Sequence, residues 1–467
     1  MSNQAKTKVL CYVDNYEGRD VEIVLPLIIF MKKHLNCEVE YVLIYDIHAI
    51  YRKKPDFVLI ASIYGSLFNY RITKYAYDQN IKVFSLFSEG NIKTDGVANY
   101  FGNNPIREFF QEYVCCWNQR VRDYLRERHP EDKERIFVTG ATGFDRYSIL
   151  PKNRDQALLD ELGVGQFKKV ITYAGWGFAK LVNPTRSKEL LKALGGDQAK
   201  FEQIREHRDA VEQALRDAIE KNPDTLFLLK KHPQETMPSD PIDERNEMSE
   251  LANYPNVVYI KKTVHISRLL SVSDLWLAYD STTALEAWLT NKQMPTIFIQ
   301  PEDLIIYQSG LGKGCLLAQN SNELLNYIDT YFEKGKLEGF FDNALLEARK
   351  ERISDFIGFD DGANHLRAAS YFKKALDEFK ATPKDHKYQR NTKYFIMYIA
   401  MKYGKIFYSR RLFSKLPKFK KTLWIFERNK LWKIDELEKK YLPHFEAYYQ
   451  QDDKLSKFEN GEYLNKD

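Results

Sequence analysis

The chain has 467 residues, of which 44% are hydrophobic and 29% are charged, and its net charge is +5. These proportions exclude a chain that is mainly disordered, collagen-like or coiled-coil, and the length predicts at least two domains. The longest apolar run has nine residues, too few to span a membrane, and the five cysteines lack the spacing of metal ligands. The N-terminal residues also lack the apolar stretch of a signal peptide, so we expect a cytoplasmic protein.

Short apolar runs alternate with helical patterns along most of the chain. The first part predicts strands at residues 8–13, 39–45, 56–62, 82–88 and 135–140, with helices at 20–35, 67–79 and 105–128. The second part predicts strands at residues 169–175, 225–232, 256–262, 275–281 and 296–300, with helices at 199–221, 265–273, 282–291 and 321–334. This alternation is typical of parallel sheets with right-handed crossovers. The expected fold is therefore α/β, with two doubly wound, Rossmann-like domains facing a cleft.

A polar stretch at residues 150–168 marks the boundary between the two parts. We predict one Rossmann-like domain over residues 1–160, a second over residues 161–385, and a basic helical extension over residues 386–467. Ligands of doubly wound sheets bind outside the carboxyl ends of the strands, near the N-termini of helices. Functional residues are therefore sought where strands end.

The clearest motifs follow two strands of the second domain. Lys231 and His232 end one strand, and Ser281 and Thr282 open the helix that carries Glu286. A hydroxyl side chain at a helix start, with a histidine and a lysine beside it, suits a phosphate group, and Glu286 suits ribose hydroxyls. Each residue alone is equally explained by a helix cap, a turn or a solvated side chain. Their order and spacing together favour a nucleotide site.

The pattern Lys-Lys-His-Pro, followed by Ser-Asp and then Asp-Ser-Thr-Thr-x-x-Glu-Ala, resembles the nucleotide-binding half of GT-B glycosyltransferases. It is most similar to those that use CMP-activated sialic, Kdo and nonulosonic acids. In that group the corresponding side chains bind the CMP phosphate, which implies this role for His232, Ser281 and Thr282. The first domain contains VDNYEGRDVEI, FSEGN and VTGATGFDRY, a series similar to bacterial surface carbohydrate biosynthesis proteins. CDP-polyol phosphotransferases share a similar second half.

Acidic residues at strand ends of the first domain are candidates for the catalytic group of such a transfer. Glu89 directly follows the fourth strand, and Asp145 follows the glycine-rich end of the fifth, with Asp95 as a third candidate. Any of them is suited to act as a base toward the acceptor hydroxyl or as a nucleophile, or else as a cap or loop carboxylate. In the second domain Gly175 permits close approach of the backbone to a donor sugar, although a simple tight turn explains it equally well.

The resemblance implies a glycosyltransferase that moves an acidic sugar from a CMP-activated donor to a surface glycan or lipid-linked glycan. No Gly-x-Gly-x-x-Gly, Walker or Asp-x-Asp motif occurs at a strand end, so we expect neither a dinucleotide cofactor nor an obligatory metal. The alternatives are a CDP-polyol phosphotransferase, another nucleotide-sugar enzyme of the GT-B type, and a non-catalytic GT-B relative that acts as an adaptor.

Residues 402–433 contain eleven Lys or Arg and one acid, Glu427, together with eight aromatic residues. This composition suits an interfacial membrane segment, a surface for single-stranded nucleic acid, or a solvated helical face. Because no nucleic-acid motif accompanies the charge, we predict contact with an anionic membrane surface and no nucleic acid partner. The protein is accordingly expected at the inner face of the cytoplasmic membrane.

Overall fold

The structure of the protein is a computed structural model. It describes residues 5–61, 67–90, 110–181, 184–230, 232, 248–260, 264–290, 294–301, 310–382, 385–409, 430–451 and 453–464. The contacts within the chain divide it into two compact units. The first unit combines Met1–Leu150 with Ser354–Asp467, and the second unit is Pro151–Ile353. Lys231, Asp95 and residues 410–429, all of which carry predictions, lie outside the described residues.

The first unit contains a six-stranded parallel sheet with the order β2-β1-β3-β4-β5-β6. Its strands are β1 Thr7–Val13, β2 Cys37–Leu43, β3 Phe57–Ile60, β4 Lys82–Leu86, β5 Tyr113–Cys116 and β6 Ile136–Val138. Every residue of β3 and β5 is buried, as expected for strands that are covered on both faces. The helices between the strands are α1 Arg19–His34, α2 Ala49–Lys53, α3 Leu67–Asp78, α4 Gln119–Arg128 and α5 Arg146–Ile149.

Helix α1 shows why this part of the sequence is helical and buried. Asp20 and Glu22 occupy its first turn, and three basic residues occupy its last turn, so its charges complement the helix dipole at both ends. The apolar run between them, residues 23–31, is buried throughout. It includes Pro26 inside the helix.

The second unit contains another six-stranded parallel sheet, with the order β12-β11-β10-β7-β8-β9. Its strands are β7 Lys169–Ala174, β8 Thr225–Lys230, β9 Val257–Ile260, β10 Leu275–Ala278, β11 Thr296–Ile299 and β12 Leu316–Ala318. Its helices are α6 Gln156–Glu161, α7 Pro184–Ala193, α8 Gln198–Lys221, α9 Ile266–Val272, α10 Thr283–Thr290 and α11 Ser321–Lys334. Helix α12 Asn343–Ile357 begins in this unit and ends in the first. The predicted α/β class with two doubly wound parallel sheets is confirmed.

Each sheet has one strand more than the sequence analysis predicted. Strand β5 lies inside the segment 105–128, which was predicted to be helical throughout, and β12 was not predicted at all. Both strands are only three or four residues long. Five of the predicted strands are equally short, so length is not the reason. Only two residues separate β5 from helix α4, and the predicted helix covers both elements.

Four helices complete the chain: α13 Asn364–Ala381, α14 Thr392–Ser409, α15 Trp432–Tyr449 and α16 Lys454–Glu459. Helix α13 packs on the first sheet, because the ring of Phe372 lies 5.2 Å from that of Phe57 in β3 and 5.3 Å from that of Phe84 in β4. The predicted second domain, 161–385, therefore extends too far. Residues 354–385 belong to the first unit.

The predicted extension 386–467 is likewise part of the first unit. In α15 the side chain of Phe445 is fully buried, and Glu438 accepts a hydrogen bond from Lys32 of α1 at 2.7 Å. In α16 the ring of Phe458 lies 4.7 Å from that of Phe30 in α1. The end of the chain thus contributes to a core that begins with α1. No helix among the described residues is long and apolar enough to cross a membrane.

Replacement of Phe445 by alanine tests whether the last helices carry part of that core. Removing a fully buried phenylalanine should cost about 3–5 kcal/mol of the free energy of unfolding. The control is Leu346→Ala in α12, where the side chain is 43% exposed and the change should be within about 0.5 kcal/mol. Urea unfolding followed by circular dichroism measures both. Equal midpoints for Phe445→Ala and the wild type would contradict the packing described here.

Candidate functional site

Three neighbouring strands of the second sheet end at one edge, and the predicted nucleotide-binding residues follow those ends. Strand β7 pairs in parallel with β10 on one side and with β8 on the other. The chain proceeds from β7 to β8 and β9, and then returns to the other side of β7 to form β10. The switch point of the sheet therefore lies between β7 and β10. In doubly wound sheets ligands bind in the crevice at such a point.

His232 and Gly177 come together at this edge. His232 follows the end of β8 by two residues, and Gly177 follows the end of β7 by three. A Cβ atom on Gly177 would lie 3.0 Å from Nδ1 of His232, so the imidazole packs directly on the glycine backbone. Any larger residue at position 177 would push the imidazole away. His232 is only partly buried, so it can still donate to a ligand at the edge.

The Tyr173 side chain packs directly on the backbone of Gly175. A Cβ atom at this position would collide with the hydroxyl of Tyr173, which explains why glycine is needed directly after β7. The sequence analysis predicted that Gly175 permits approach to a donor sugar. That role stays a prediction, and the packing of Tyr173 gives the glycine a reason independent of any ligand.

Aromatic side chains connect the ends of β7 and β10. The ring of Trp176 lies edge-on to Phe178 at 5.5 Å, and Phe178 lies 4.7 Å from Tyr279. The hydroxyl of Tyr279 is 3.1 Å from Nδ1 of His207 in α8. Burial, with the nearby Asp280 carboxylate, raises the pKa of Tyr279 above its ordinary value, so its hydroxyl stays protonated. This row of contacts fixes the two strand ends relative to each other.

The start of α10 is organised by hydroxyl groups. The hydroxyl of Ser281 lies 3.0 Å from that of Thr283 and accepts the Thr283 N–H at 3.4 Å. The indole N–H of the buried Trp276 donates to the Thr283 hydroxyl at 3.1 Å. Asp280, just before, has a left-handed φ of 39° and turns the chain into the helix. Ser281 thus caps the helix, at the end where the helix dipole favours an anion.

The remaining predicted residues of the second unit differ in their placement. Thr282 is partly exposed beside the Ser281 cap. Glu286, in the first turn of α10, is only 7% exposed, so little of its surface is available to a ribose hydroxyl. Lys231 lies outside the described residues. The structure therefore brings His232, Ser281 and Thr282 to one sheet edge, while Glu286 lies mainly within the protein.

In the first unit, Glu89 lies at the corresponding edge, beyond the end of β4. It forms an ion pair with Arg19, the first residue of α1, and both side chains are partly exposed. The next residue, Gly90, is fixed by its neighbours. Its carbonyl accepts from the Asn118 amide at 2.9 Å, and a Cβ atom there would lie 2.5 Å from the ring of Trp117. Glu89 is thus a partly exposed carboxylate, paired with Arg19 and followed by a glycine that Asn118 and Trp117 hold.

Asp145 has a different position from the one that the sequence analysis predicted. Its side chain is completely buried. It accepts the amide of Asn364 at 2.8 Å, and the backbone N–H and Nδ1 of His365 at 2.7 Å each. A carboxylate without accessible surface cannot touch a substrate, so this geometry argues against the predicted catalytic role. Asp145 instead holds the start of α13.

Sequence reasoning missed two groups of residues that shape these sites. Nothing local connects Asp145 with His365, because the two are 220 positions apart. Arg19 follows β1, so its place in the chain already puts it at the same edge as Glu89. The closeness of Gly177 to His232 depends on β7 and β8 being neighbours in the sheet, which local sequence does not show.

One group of described side chains has the chemistry of metal ligands at close range. His129, Glu131 and Asp132 lie between α4 and β6, and their ligand atoms are all within 4.8 Å of one another. Arg135 already pairs with Asp132 at 3.0 Å. This group precedes β6 and therefore lies at the amino edge of the sheet, opposite Glu89. The expectation that no metal is needed stays a prediction.

No family model matches the sequence, and no curated protein matches it. Among solved structures, a UDP-N-acetylglucosamine 2-epimerase from Listeria monocytogenes is similar with a TM-score of 0.52 and 15% identity, over 80% of this chain and 98% of that one. The complex of Staphylococcus aureus MnaA with UDP gives a TM-score of 0.51 and 14% identity, over 81% and 99% of the two chains. At these identities the likeness is one of fold, and it confirms the two Rossmann-like domains of the GT-B type.

The contact between Gly177 and His232 generates a sharp test of the second-unit site. Gly177→Ala should displace the imidazole and weaken nucleotide binding at least about tenfold, because a charge-assisted hydrogen bond is worth ~1.5–3 kcal/mol. Gly339→Ala is the matched control, since a Cβ atom there meets no atom closer than 3.7 Å. Isothermal titration with UDP, CDP and CMP measures both variants. Unchanged affinity in Gly177→Ala would remove His232 from the site.

Proposed function

We propose that the chain is a glycosyltransferase that uses a nucleotide-activated sugar, with the phosphate groups bound at the carboxyl edge of the second sheet. The observation that carries the proposal is the convergence of His232, Ser281 and Thr282 at the switch point between β7 and β10. These residues come from two separate motifs, which lie at the same edge of the sheet because β8 and β10 both pair with β7. Solved structures of the same fold support it, since they include a UDP-N-acetylglucosamine 2-epimerase and a complex with UDP.

The proposed site suits the departure of a nucleotide from a sugar. Charge builds up on the phosphate oxygens as the glycosidic bond to the nucleotide breaks, and preorganised donors stabilise that charge. His232 supplies an imidazole N–H, and the start of α10 supplies the positive end of a helix dipole. The carbon that is released has oxocarbenium character and is attacked by an acceptor hydroxyl or by a carboxylate.

Glu89 is the proposed acid–base or nucleophilic residue of the first unit. It is accessible, it lies at a strand end, and its loop is held by Asn118 and Trp117. Arg19 pairs with it and orients the carboxylate. Asp145 is not proposed for this role, because its carboxylate is buried under α13.

The donor is proposed to be a pyrimidine nucleotide sugar. A UDP-linked sugar is supported by the solved structures of the same fold, a UDP-N-acetylglucosamine 2-epimerase and a complex with UDP. A CDP-linked group is supported by the resemblance of the second half to CDP-polyol phosphotransferases. A CMP-activated acidic sugar is the second candidate, favoured by the order of the motifs around His232 and Ser281. A surface glycan, free or lipid-linked, is the proposed acceptor, and the inner face of the cytoplasmic membrane is the proposed location.

A thermal-shift series with CMP, CDP, UDP and GDP tests the donor class. A ligand at 100 times its dissociation constant should add about 2.7 kcal/mol of stability, and we expect a pyrimidine nucleotide to exceed GDP. A larger shift with UDP or CDP identifies a diphosphate donor, and a larger shift with CMP identifies an acidic sugar. If none of the four stabilises the protein, the nucleotide site proposed here is wrong. Nucleotide binding without turnover on any acceptor would favour an adaptor.

Substitution of Glu89 tests its proposed role in turnover. Glu89→Gln should leave nucleotide affinity unchanged and lower the rate by about 100-fold or more, because the amide can neither take a proton nor attack the sugar. Glu127→Gln, at an exposed carboxylate of α4, is the control and should retain full rate. Release of nucleotide from the donor measures both. A normal rate in Glu89→Gln would leave Asp95, outside the described residues, as the next candidate.

A further inference from the structure

Helix α14 packs on the first unit with one of its faces. The ring of Tyr394 lies 5.1 Å from that of Tyr75 in α3, and the guanidinium of Arg52 lies 4.2 Å over the ring of Tyr398. Met401 and Tyr394 also contact the buried cluster formed by β1, β2 and β3. These residues are spaced at i, i+4 and i+7, which defines a single face of a helix.

The opposite face of α14 is apolar and exposed to solvent. Ile396 is 60% exposed, Tyr403 is 45% exposed, and Ala400 between them is exposed as well. These three residues have the same i, i+4 and i+7 spacing, so they form a stripe along the helix. None of the side chains described for this helix is fully buried. A helix with apolar residues on both faces normally has both faces covered.

Basic residues and a second exposed aromatic residue accompany this stripe. Lys393 and Lys402 are exposed, and Nζ of Lys402 lies 5.8 Å from the ring of Tyr403. At the start of α15, Trp432 is 56% exposed, and Nζ of Lys433 lies 5.8 Å from its ring.

The two exposed groups adjoin residues that pack on one buried cluster. Leu431, beside Trp432, packs against the same buried cluster as Tyr394 and Met401. The sequence from residue 391 to residue 433 contains twelve Lys or Arg and one acid. Four of these basic side chains, Lys393, Lys402, Lys430 and Lys433, are among the described ones, so lysines accompany the exposed apolar residues.

We propose that the outer stripe of α14, together with Trp432, docks on a lipid membrane that carries anionic headgroups. Lysines beside an apolar helix face, with tyrosine and tryptophan at its edges, are the composition of helices that lie in the membrane interface. The positive charge complements anionic lipids. A stripe of three residues suits shallow insertion among lipids, whereas a stable protein interface buries about 800 Å² on each partner.

The outer stripe of α14 and Trp432 form a more defined surface than the membrane contact that the sequence predicts. That expectation placed membrane contact within residues 402–433, most of which lie outside the described residues. The present surface begins earlier, at Lys393, and consists of residues whose exposure is described. It does not depend on which nucleotide the second unit binds, so each proposal can fail without the other.

Co-sedimentation of the full chain with lipid vesicles tests the docking surface. The wild type should bind vesicles of phosphatidylcholine with phosphatidylglycerol at low salt, bind pure phosphatidylcholine weakly, and lose affinity as salt is added. Ile396→Glu combined with Tyr403→Glu should reduce binding at least about tenfold, because charged residues must then enter the interface. Leu317→Glu combined with Leu346→Glu adds the same charge at exposed positions of the second unit, 39% and 43% exposed, and should bind like the wild type.

A serine double variant and light scattering separate membrane docking from added charge and from dimer formation. Ile396→Ser combined with Tyr403→Ser removes the apolar stripe without adding charge, and it should also bind less well while unfolding at the temperature of the wild type. Light scattering reports whether the stripe instead joins two copies of the chain. Wild-type vesicle binding by both double variants would overturn the proposal, as would a wild type that stays in the supernatant at low salt. Loss of a dimer in these variants with unchanged vesicle binding would overturn it too.

Discussion

The hydrogen bonds of the buried Asp145 carboxylate connect the beginning of the first unit to its end. Both carboxylate oxygens are used, one by the side chain of Asn364 and the other by the backbone and the imidazole of His365. Burying a carboxylate without such hydrogen-bond partners costs free energy of folding. The start of α13 is therefore held next to Asp145. Helix α13 in turn covers β3 and β4 through Phe372. The aromatic residues of α15 and α16 then close over α1 and His365.

In the second unit, the packing of glycine and aromatic residues positions the side chains at the sheet edge. The absence of a Cβ atom leaves room for the imidazole of His232 at Gly177 and for the Tyr173 hydroxyl at Gly175. Trp276 fixes the Thr283 hydroxyl, which contacts Ser281. Residues that do not themselves contact a ligand thus determine the positions of the His232 imidazole and of the start of α10. Such support is what allows a site to be ready before its ligand arrives.

Much of the architecture could be predicted because strands and helices differ in the period of their apolar residues. Ten strands were predicted from their apolar runs, and the alternation with helices implied parallel sheets. The site residues His232, Ser281 and Thr282 were recognisable because strand ends and helix starts are local features. The structure adds the pairing of strands, which brings Gly177 to His232. The sequence of an amphipathic helix such as α13 shows which face is buried but not the sheet on which that face packs. Residues 354–385 were therefore assigned to the wrong unit. The burial of Asp145 depends on partners 220 positions away and was equally invisible.

The second unit is inserted into the first, because Pro151–Ile353 separates two stretches of the same compact body. During synthesis a ribosome releases all of the second unit before the residues that complete the first. The second unit can then reach its native packing while the first sheet still lacks α13 and the phenylalanines of α15 and α16. Until they emerge, the apolar faces of β3 and β4 stay uncovered, and contacts of such long sequence separation form slowly. The newly made chain therefore passes through a period in which one finished body is attached to an unfinished one, and chaperones that shield apolar surface would act on the earlier half.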